Sequence, residues 1–146
     1  ELIQVWARQQ VSHVVLAGGL PPGPAIAAIK GFGAKLMCFA PTAALAKKLV
    51  RSGVDAIVIE GSEAGGHIGP VSLTVLAQEI LPVITDVPVF VAGGIGRGNA
   101  IAAYLDMGAS GVQLGTRFAA AAESVAHDRF KQAFVRASAR EAIASV

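Results

Sequence analysis

A histidine and two carboxylates stand close together in a glycine-rich stretch near the middle of the chain. Residues 60–69 have the sequence EGSEAGGHIG, in which Glu60, Glu63 and His67 are ionisable. An imidazole titrates near neutral pH, so His67 is the candidate group for proton transfer. The alternative is a glycine-rich turn that carries a surface histidine. Glycines also let a backbone approach a ligand closely, and this favours the functional interpretation.

The position of this stretch supports the same interpretation. It follows the apolar run 56–59, which is typical of a buried strand, and it precedes residues 70–72, which are typical of a helix entrance. Ligands of α/β proteins bind at the carboxyl ends of parallel strands. We therefore expect His67 to lie at the functional edge of a sheet.

Two later strands are also followed by glycine-rich segments. The first is Gly93–Gly98 and the second contains Gly115 and Thr116. Backbone N–H groups at such turns, together with the dipole of the following helix, bind phosphate. The glycine spacing of the first segment differs from the dinucleotide fingerprint. A phosphate site at these two loops is one interpretation, and simple tight turns are the other.

Strands and helices alternate along the sequence, which predicts an α/β protein with a parallel sheet and right-handed crossovers. Two architectures fit this alternation: a complete doubly wound sheet, or part of an eight-stranded barrel. Length alone favours the doubly wound sheet, since a barrel typically needs about 250 residues. The predicted strands are 12–17, 34–40, 56–59, 87–92 and 111–115. Thr42, Ser72 and Asn99 are the expected N-caps of the helices that follow the second, third and fourth strands. Phe130 and Phe134, four positions apart, are expected on one face of a helix near the end of the chain.

Composition excludes several classes of protein. The 146 residues are 53% hydrophobic with a net charge of +2 and no cluster of basic residues, which argues against a nucleic-acid protein. No apolar run reaches the roughly 18 residues of a membrane span. The single cysteine, Cys38, lies in an apolar run and predicts a buried, reduced thiol. No histidine and carboxylate spacing suggests a catalytic metal. The sequence shows no signal peptide, and we expect a cytoplasmic location.

Three motifs occur in the order and spacing of one known family. They are EAGGHIG at 63–69, VAGGI at 91–95 and VQLGTRF at 112–118. The chain resembles the nitronate monooxygenase (2-nitropropane dioxygenase) family, which is similar to the flavin-dependent enoyl-acyl-carrier-protein reductases. The resemblance extends over nearly the whole chain.

The resemblance implies a fold, a cofactor and a set of site residues. Residues 1–146 would be the C-terminal portion of a single FMN-binding TIM-barrel domain and would supply its fourth to eighth strands. The family's catalytic histidine falls on His67. No metal is implied. The positions that would bind FMN are Gly65, Gly66, Gly93, Gly94, Gln113, Gly115 and Thr116.

The resemblance also implies alternative functions. In the first, the protein oxidises a nitronate or nitroalkane with O2 to a carbonyl compound and nitrite. In the second, NAD(P)H reduces the flavin, which then reduces an enoyl thioester. A third hypothesis, from another class of function, is a non-catalytic half-barrel that binds flavin or phosphate and works by assembly. All three predict a small-molecule partner, without nucleic acid or membrane, and leave a homo-oligomer open.

Overall fold

A computed structural model describes residues 1–66 and 68–143, which form two compact units. The first unit ends at Gln113 and the second begins at Leu114. The strands, all in the first unit, are β1 (His13–Leu16), β2 (Lys35–Phe39), β3 (Ala56–Glu60), β4 (Val89–Ala92) and β5 (Gly111–Gln113). The helices of the first unit are α1 (Leu2–Arg8), α2 (Gly23–Gly31), α3 (Ala43–Arg51), α4 (Leu73–Ile80) and α5 (Gly98–Asp106).

The five strands form one parallel sheet in the order β1-β2-β3-β4-β5. A doubly wound sheet would reverse the strand order at a switch point, and no such reversal occurs among these strands. The sequential order is the one a barrel requires. Right-handed crossovers between neighbouring strands place the connecting helices on a single face of the sheet.

The most deeply buried side chains alternate along β1 and β2 and align with buried residues of the central strand β3. Leu36 and Cys38 of β2 are fully buried, and Cys38 is in register with the fully buried Ile57 of β3. In β1, Val14 is buried whereas Val15 is 52% exposed. In β1 and β2 one face therefore packs in the main core and the other is partly accessible, whereas β3 is buried on both faces up to Ile59. Burial also raises the pKa of the Cys38 thiol to about 11, so the thiol stays protonated near neutral pH.

The N-cap expected from the sequence is found for α3 but not for α5. Thr42 caps α3 as predicted, since its Oγ1 accepts a hydrogen bond from the Leu45 N–H at 3.2 Å. Asn99 was the expected cap of α5, but this helix begins at Gly98 with Arg97 as its N-cap. The Asn99 side chain instead accepts from the neighbouring Ala100 N–H.

A carboxylate joins three elements at the amino ends of the strands. Asp55 precedes β3 and contacts the ammonium groups of Lys30 at 2.7 Å and Lys35 at 3.3 Å. Its second oxygen accepts from the Leu36 N–H at 2.8 Å. This cluster fixes the end of α2 and the starts of β2 and β3, at the edge opposite the predicted site.

The second unit contains α6 (Thr116–Ala119), α7 (Asp128–Arg136) and a short 3-10 turn at Ala139–Glu141. His127 is the N-cap of α7, and its Nδ1 accepts from the Arg129 N–H. The rings of Phe130 and Phe134 are 4.7 Å apart and nearly perpendicular. The expected pairing of these two phenylalanines on one helix face is confirmed.

None of the helices in the described part of the chain is long and apolar enough to cross a membrane.

Candidate functional site

The loop after β3 is tied to its neighbours by backbone hydrogen bonds. The Gly61 N–H donates to the Ala92 carbonyl at the end of β4, at 3.2 Å. The Ser62 N–H donates to the Val71 carbonyl at 2.8 Å, which closes the loop just before α4. The carboxyl ends of β3 and β4 and the start of α4 are therefore held as one structure.

Glu63, in this loop, stabilises the start of α4. Its Oε2 accepts a hydrogen bond from the Leu73 N–H, the first residue of α4, at 2.9 Å. Ser72 occupies the N-cap position, as the sequence predicts, but its side chain makes no capping bond. A Cβ at Gly61 would overlap Leu73 N and Glu63 Oε2. Glycine is therefore required where the helix start presses on the loop.

Gly93 and Gly94 pack directly against this same loop. Both have positive φ values, +106° and +67°. A Cβ at Gly94 would lie 2.9 Å from the Cβ of Glu63, and one at Gly93 would lie 3.0 Å from the Ala64 nitrogen. The structure thus brings the loops after β3 and β4 together. It also shows that protein atoms fill the space which these two glycines leave.

Gly65 and Gly66 differ from that pair. A Cβ at either position would meet no atom of the described residues within 4 Å, and Gly66 has a φ of +87°. Their surroundings are open, so a ligand can approach this backbone closely. These two positions fit a cofactor-binding role on steric grounds.

Gln113 ends β5 in the first unit, with its side chain exposed. Ala92 pairs with both Glu60 and Gln113 in the strand register. Laterally paired residues project from the same face of a sheet. Glu60 and Gln113 therefore flank the small Ala92 side chain in one row at the carboxyl edge.

Gly115 and Thr116 lie in the second unit and begin α6. Gly115 is the N-cap, without a side-chain capping bond, and Thr116 is the first helical residue. A Cβ at Gly115 would meet nothing within 4 Å. The open backbone fits the predicted approach of a phosphate, and the placement of these residues beside Gly94 stays a prediction.

His67, the predicted proton-transfer residue, lies outside the described residues. The other two histidines have ordinary local partners: His13 contacts the Ser12 hydroxyl, and His127 caps α7. No group of three metal-ligating side chains occurs among residues 1–66 and 68–143.

A cavity of about 420 Å³ lies at the carboxyl ends of β1, β2 and β3. Glu60 is the one ionisable group among the described residues that line it, and burial raises the pKa of its carboxyl above the usual range. The sequence interpretation did not single out this residue as a site residue, although its place at the end of an apolar strand was a usable signal. The residues that line the cavity are Ala17, Gly18, Gly19, Phe39, Ala40, Pro41, Glu60 and Gly69.

The sequence model of one protein family, nitronate monooxygenase, matches residues 1–143. The chain belongs to the nitronate monooxygenase family. The resemblance of the three motifs to this family is thereby confirmed.

Named members and relatives of the nitronate monooxygenase family show how far the similarity extends. A nitronate monooxygenase of Paraburkholderia phytofirmans is 35% identical over 152 aligned positions, which cover 95% of the chain and 40% of that protein. A (3aS,4S,5R,7aS)-5-hydroxy-7a-methyl-1-oxo-octahydro-1H-indene-4-carboxyl-CoA dehydrogenase of Rhodococcus jostii is 39% identical over 115 residues, which cover 79% of the chain and 32% of that protein.

The solved structure of FabK from Thermotoga maritima matches with a TM-score of 0.88 and 38% identity, over 94% of the chain and 43% of FabK. FabK is a TIM-barrel protein, and the chain has the fold of part of such a barrel. The chain spans about a third of the length of the first curated relatives it matches. The barrel expectation is confirmed, and the expectation of a doubly wound sheet from length alone is wrong.

Proposed function

We propose that the full-length protein is an FMN-dependent oxidoreductase that oxidises alkyl nitronates or nitroalkanes with O2 to carbonyl compounds and nitrite. Membership of the nitronate monooxygenase family, matched over residues 1–143, carries this proposal. The chain would form the C-terminal portion of a single FMN-binding barrel domain. A cytoplasmic location and a homo-oligomer remain predictions.

The proposed FMN contacts divide into three groups. Gly65 and Gly66 offer an open backbone, and Gln113 offers an exposed amide at the end of β5. Gly115 and Thr116 would bind the phosphate through the start of α6. The cofactor would supply the electron transfer, and the protein would supply binding and orientation.

Gly93 and Gly94 have a different proposed role. Their missing side chains admit the loop that carries Glu63 and Ala64. They would therefore support the FMN site by holding the loop after β3 in place. A Cβ on either glycine would point toward this loop. This packing is therefore compatible with direct contact between the backbone N–H groups of the two glycines and the phosphate.

His67 is the proposed general base. It would accept the α-proton of a neutral nitroalkane on an imidazole nitrogen and leave the substrate as a nitronate anion. A positioned base typically contributes about 10²–10⁴ in rate. A preformed nitronate has already lost this proton and needs no base for that step.

The His67→Asn variant tests this assignment. With 2-nitropropane, we expect the variant to lose about 10²–10⁴ in kcat/KM, because proton removal is uncatalysed. With propane-2-nitronate, the loss should be much smaller. The measurement is oxygen uptake by the full-length protein, with FMN content from the visible spectrum as the control. Equal losses on the two substrates would show that His67 positions the substrate and does not act as a base.

A second candidate function is an NAD(P)H-dependent enoyl-acyl-carrier-protein reductase. The resemblance of the three motifs to the flavin-dependent enoyl-acyl-carrier-protein reductases favours it, together with the structural match to FabK at a TM-score of 0.88 over 94% of the chain. The two candidates separate by electron donor. NAD(P)H oxidation that depends on an enoyl thioester would establish the reductase, whereas oxygen uptake that depends on a nitronate would establish the monooxygenase. A full-length protein without flavin would contradict both.

A further inference from the structure

The ring of Phe90 lies over Gly111 on the neighbouring strand. Phe90 of β4 is paired with Gly111 of β5 in the strand register, so both positions project from the same face of the sheet. A Cβ at Gly111 would lie 2.8 Å from both the Cδ1 and the Cε1 atoms of Phe90. The edge of the ring therefore occupies the place that a side chain of residue 111 would take.

This place adjoins Gln113, the last residue of β5. Residues two positions apart on a strand project from the same face and are about 6.6 Å apart along the strand. Gly111 and Gln113 stand in this relation, and Gly111 has no side chain to contact Gln113. The Phe90 ring is therefore the neighbour of the Gln113 side chain on the side that faces the start of the strand.

The ring limits the conformations of the Gln113 side chain. A glutamine has several rotatable bonds, and ordering them when a ligand binds costs free energy. Because the ring fills the space over Gly111, the Gln113 amide has no room to fold back along β5. The conformations that remain direct the amide toward the carboxyl end of the strand, the edge at which parallel α/β sheets bind their ligands.

We propose that Phe90 is a positioning residue, which acts through Gln113 by ordering its amide before FMN binds. The proposal rests on the proposed function, in which Gln113 contacts FMN. Gly111 contributes to the same effect, since a side chain there would displace the ring. A Phe90 that only filled space in the sheet would act on stability, and its effect on FMN binding would not depend on residue 113.

A double-mutant cycle on the full-length protein tests this dependence. The apoprotein is titrated with FMN, and the change in flavin fluorescence gives the dissociation constant. We expect Phe90→Leu to weaken FMN binding about fivefold, because a mobile Gln113 must be ordered on binding. In a Gln113→Ala background, Phe90→Leu should change the dissociation constant by less than about twofold, because the side chain that Phe90 orders is gone. Equal losses in the two backgrounds would overturn the proposal.

A matched control and a second variant accompany this cycle. Phe39 of β2 lies in the same row of the sheet as Phe90, two strands away, with Val58 between them. The effects of Phe39→Leu and Gln113→Ala on FMN binding should therefore add. Gly111→Ala keeps the Phe90 ring but displaces it, and its loss should again disappear in the Gln113→Ala background. Urea unfolding shows which variants fold, and if Phe90→Leu does not, an additive effect of Gly111→Ala would overturn the proposal.

The mobility of the Gln113 side chain separates this inference from the proposed function. Nuclear magnetic relaxation of the Gln113 side-chain amide is measured in the 15N-labelled apoprotein, without any cofactor. We expect Phe90→Leu to lower the order parameter of this amide and Phe39→Leu to leave it unchanged. If the parent protein binds no FMN, the proposed function fails, and this measurement still decides the role of Phe90. An unchanged order parameter in a folded Phe90→Leu protein would overturn the proposal.

Discussion

The glycines of the candidate site are of two kinds, although they look alike in sequence. Gly93 and Gly94 lack side chains because neighbouring protein atoms occupy that space. Gly65, Gly66 and Gly115 lack side chains next to open space. The first kind serves loop packing, and the second kind is available to a ligand. A substitution therefore has different consequences at the two kinds of position.

Alanine substitutions at Gly94 and Gly115 measure this difference. Gly94→Ala should lower the free energy of unfolding by about 1–3 kcal/mol, because its φ of +67° is unfavourable for alanine and its Cβ would press on Glu63. Gly115→Ala should change stability by less than about 0.5 kcal/mol and should weaken FMN binding. Urea unfolding and FMN titration are the measurements.

The stability of the Gly94→Ala protein determines whether a loss of FMN binding in this variant can be attributed to a lost phosphate contact. Loss of FMN by a destabilised Gly94→Ala protein would not by itself locate the phosphate. Gly115→Ala is the informative variant, since its Cβ faces open space. A Gly115→Ala protein with parental FMN affinity would contradict the proposed phosphate contact at the start of α6.

At the scale of elements, the start of α4 depends on a residue ten positions away. The Glu63 carboxylate accepts the Leu73 N–H, whereas the adjacent Ser72 side chain makes no capping bond. We expect Glu63→Ala to lower the free energy of unfolding by about 0.5–2 kcal/mol, as loss of a helix cap does. Ser72→Ala is the matched control and should cost much less. A larger loss for Ser72→Ala in thermal or urea unfolding would contradict this assignment.

This helix start also shows what a local pattern can and cannot predict. The position of Ser72 before an apolar run correctly predicted where α4 begins. The capping group could not be predicted, because its identity depends on how the loop after β3 folds back. Thr42, in contrast, caps α3 within one turn, and the sequence predicted both the position and the bond. The local capping bond was predictable at Thr42 but not at Asn99, and the bond from Leu73 across the loop to Glu63 had no local signal.

Asp55 connects α2, β2 and β3, and its contribution to the stability of the fold depends on pH. Burial raises the pKa of this carboxyl, but hydrogen bonds from Leu36 N–H, Lys30 and Lys35 outweigh burial and hold the pKa below its usual value. A lowered pKa in the folded state stabilises the protein above the unfolded pKa, near about 3.9. This stabilisation is lost as the pH falls through the lowered value.

The Asp55→Asn variant tests the sign of this dependence. At pH 7 it should be less stable than the parent by roughly 1–2 kcal/mol, because charge-assisted hydrogen bonds are lost. Below about pH 4 the difference should shrink, since the parent carboxyl also becomes protonated. The measurement is urea unfolding of both proteins from pH 7 to pH 2.5. A difference that grows toward low pH would contradict the assigned role of Asp55.

At the scale of the whole molecule, motifs were more informative than length. The length of 146 residues favoured a complete doubly wound sheet, and the three motifs favoured part of a barrel. The sequential strand order and the match to FabK confirm the barrel. Length failed because a barrel consists of repeated strand and helix units, and a segment of such a repeat has the same local pattern as a smaller fold.

The strand order leaves β1 and β5 with a partner on one side only, within the described residues. Unpaired strand edges promote association. Val15 of β1 adds an apolar side chain that is 52% exposed. We therefore expect the 146-residue chain, produced alone, to associate at micromolar concentrations. Size-exclusion chromatography with light scattering over a range of concentrations measures this.

A charge on the exposed side of the edge strand should reduce that association. Val15→Lys places a lysine on β1, where an inserted charge disfavours further strand pairing. Val125→Lys makes the same substitution at a fully exposed position in the second unit and controls for net charge. We expect Val15→Lys to shift the isolated chain toward the monomer and Val125→Lys to leave association unchanged. A folded, monodisperse monomer of the unsubstituted chain would show that its edges need no further strands, which contradicts its assignment as a portion of a larger barrel domain.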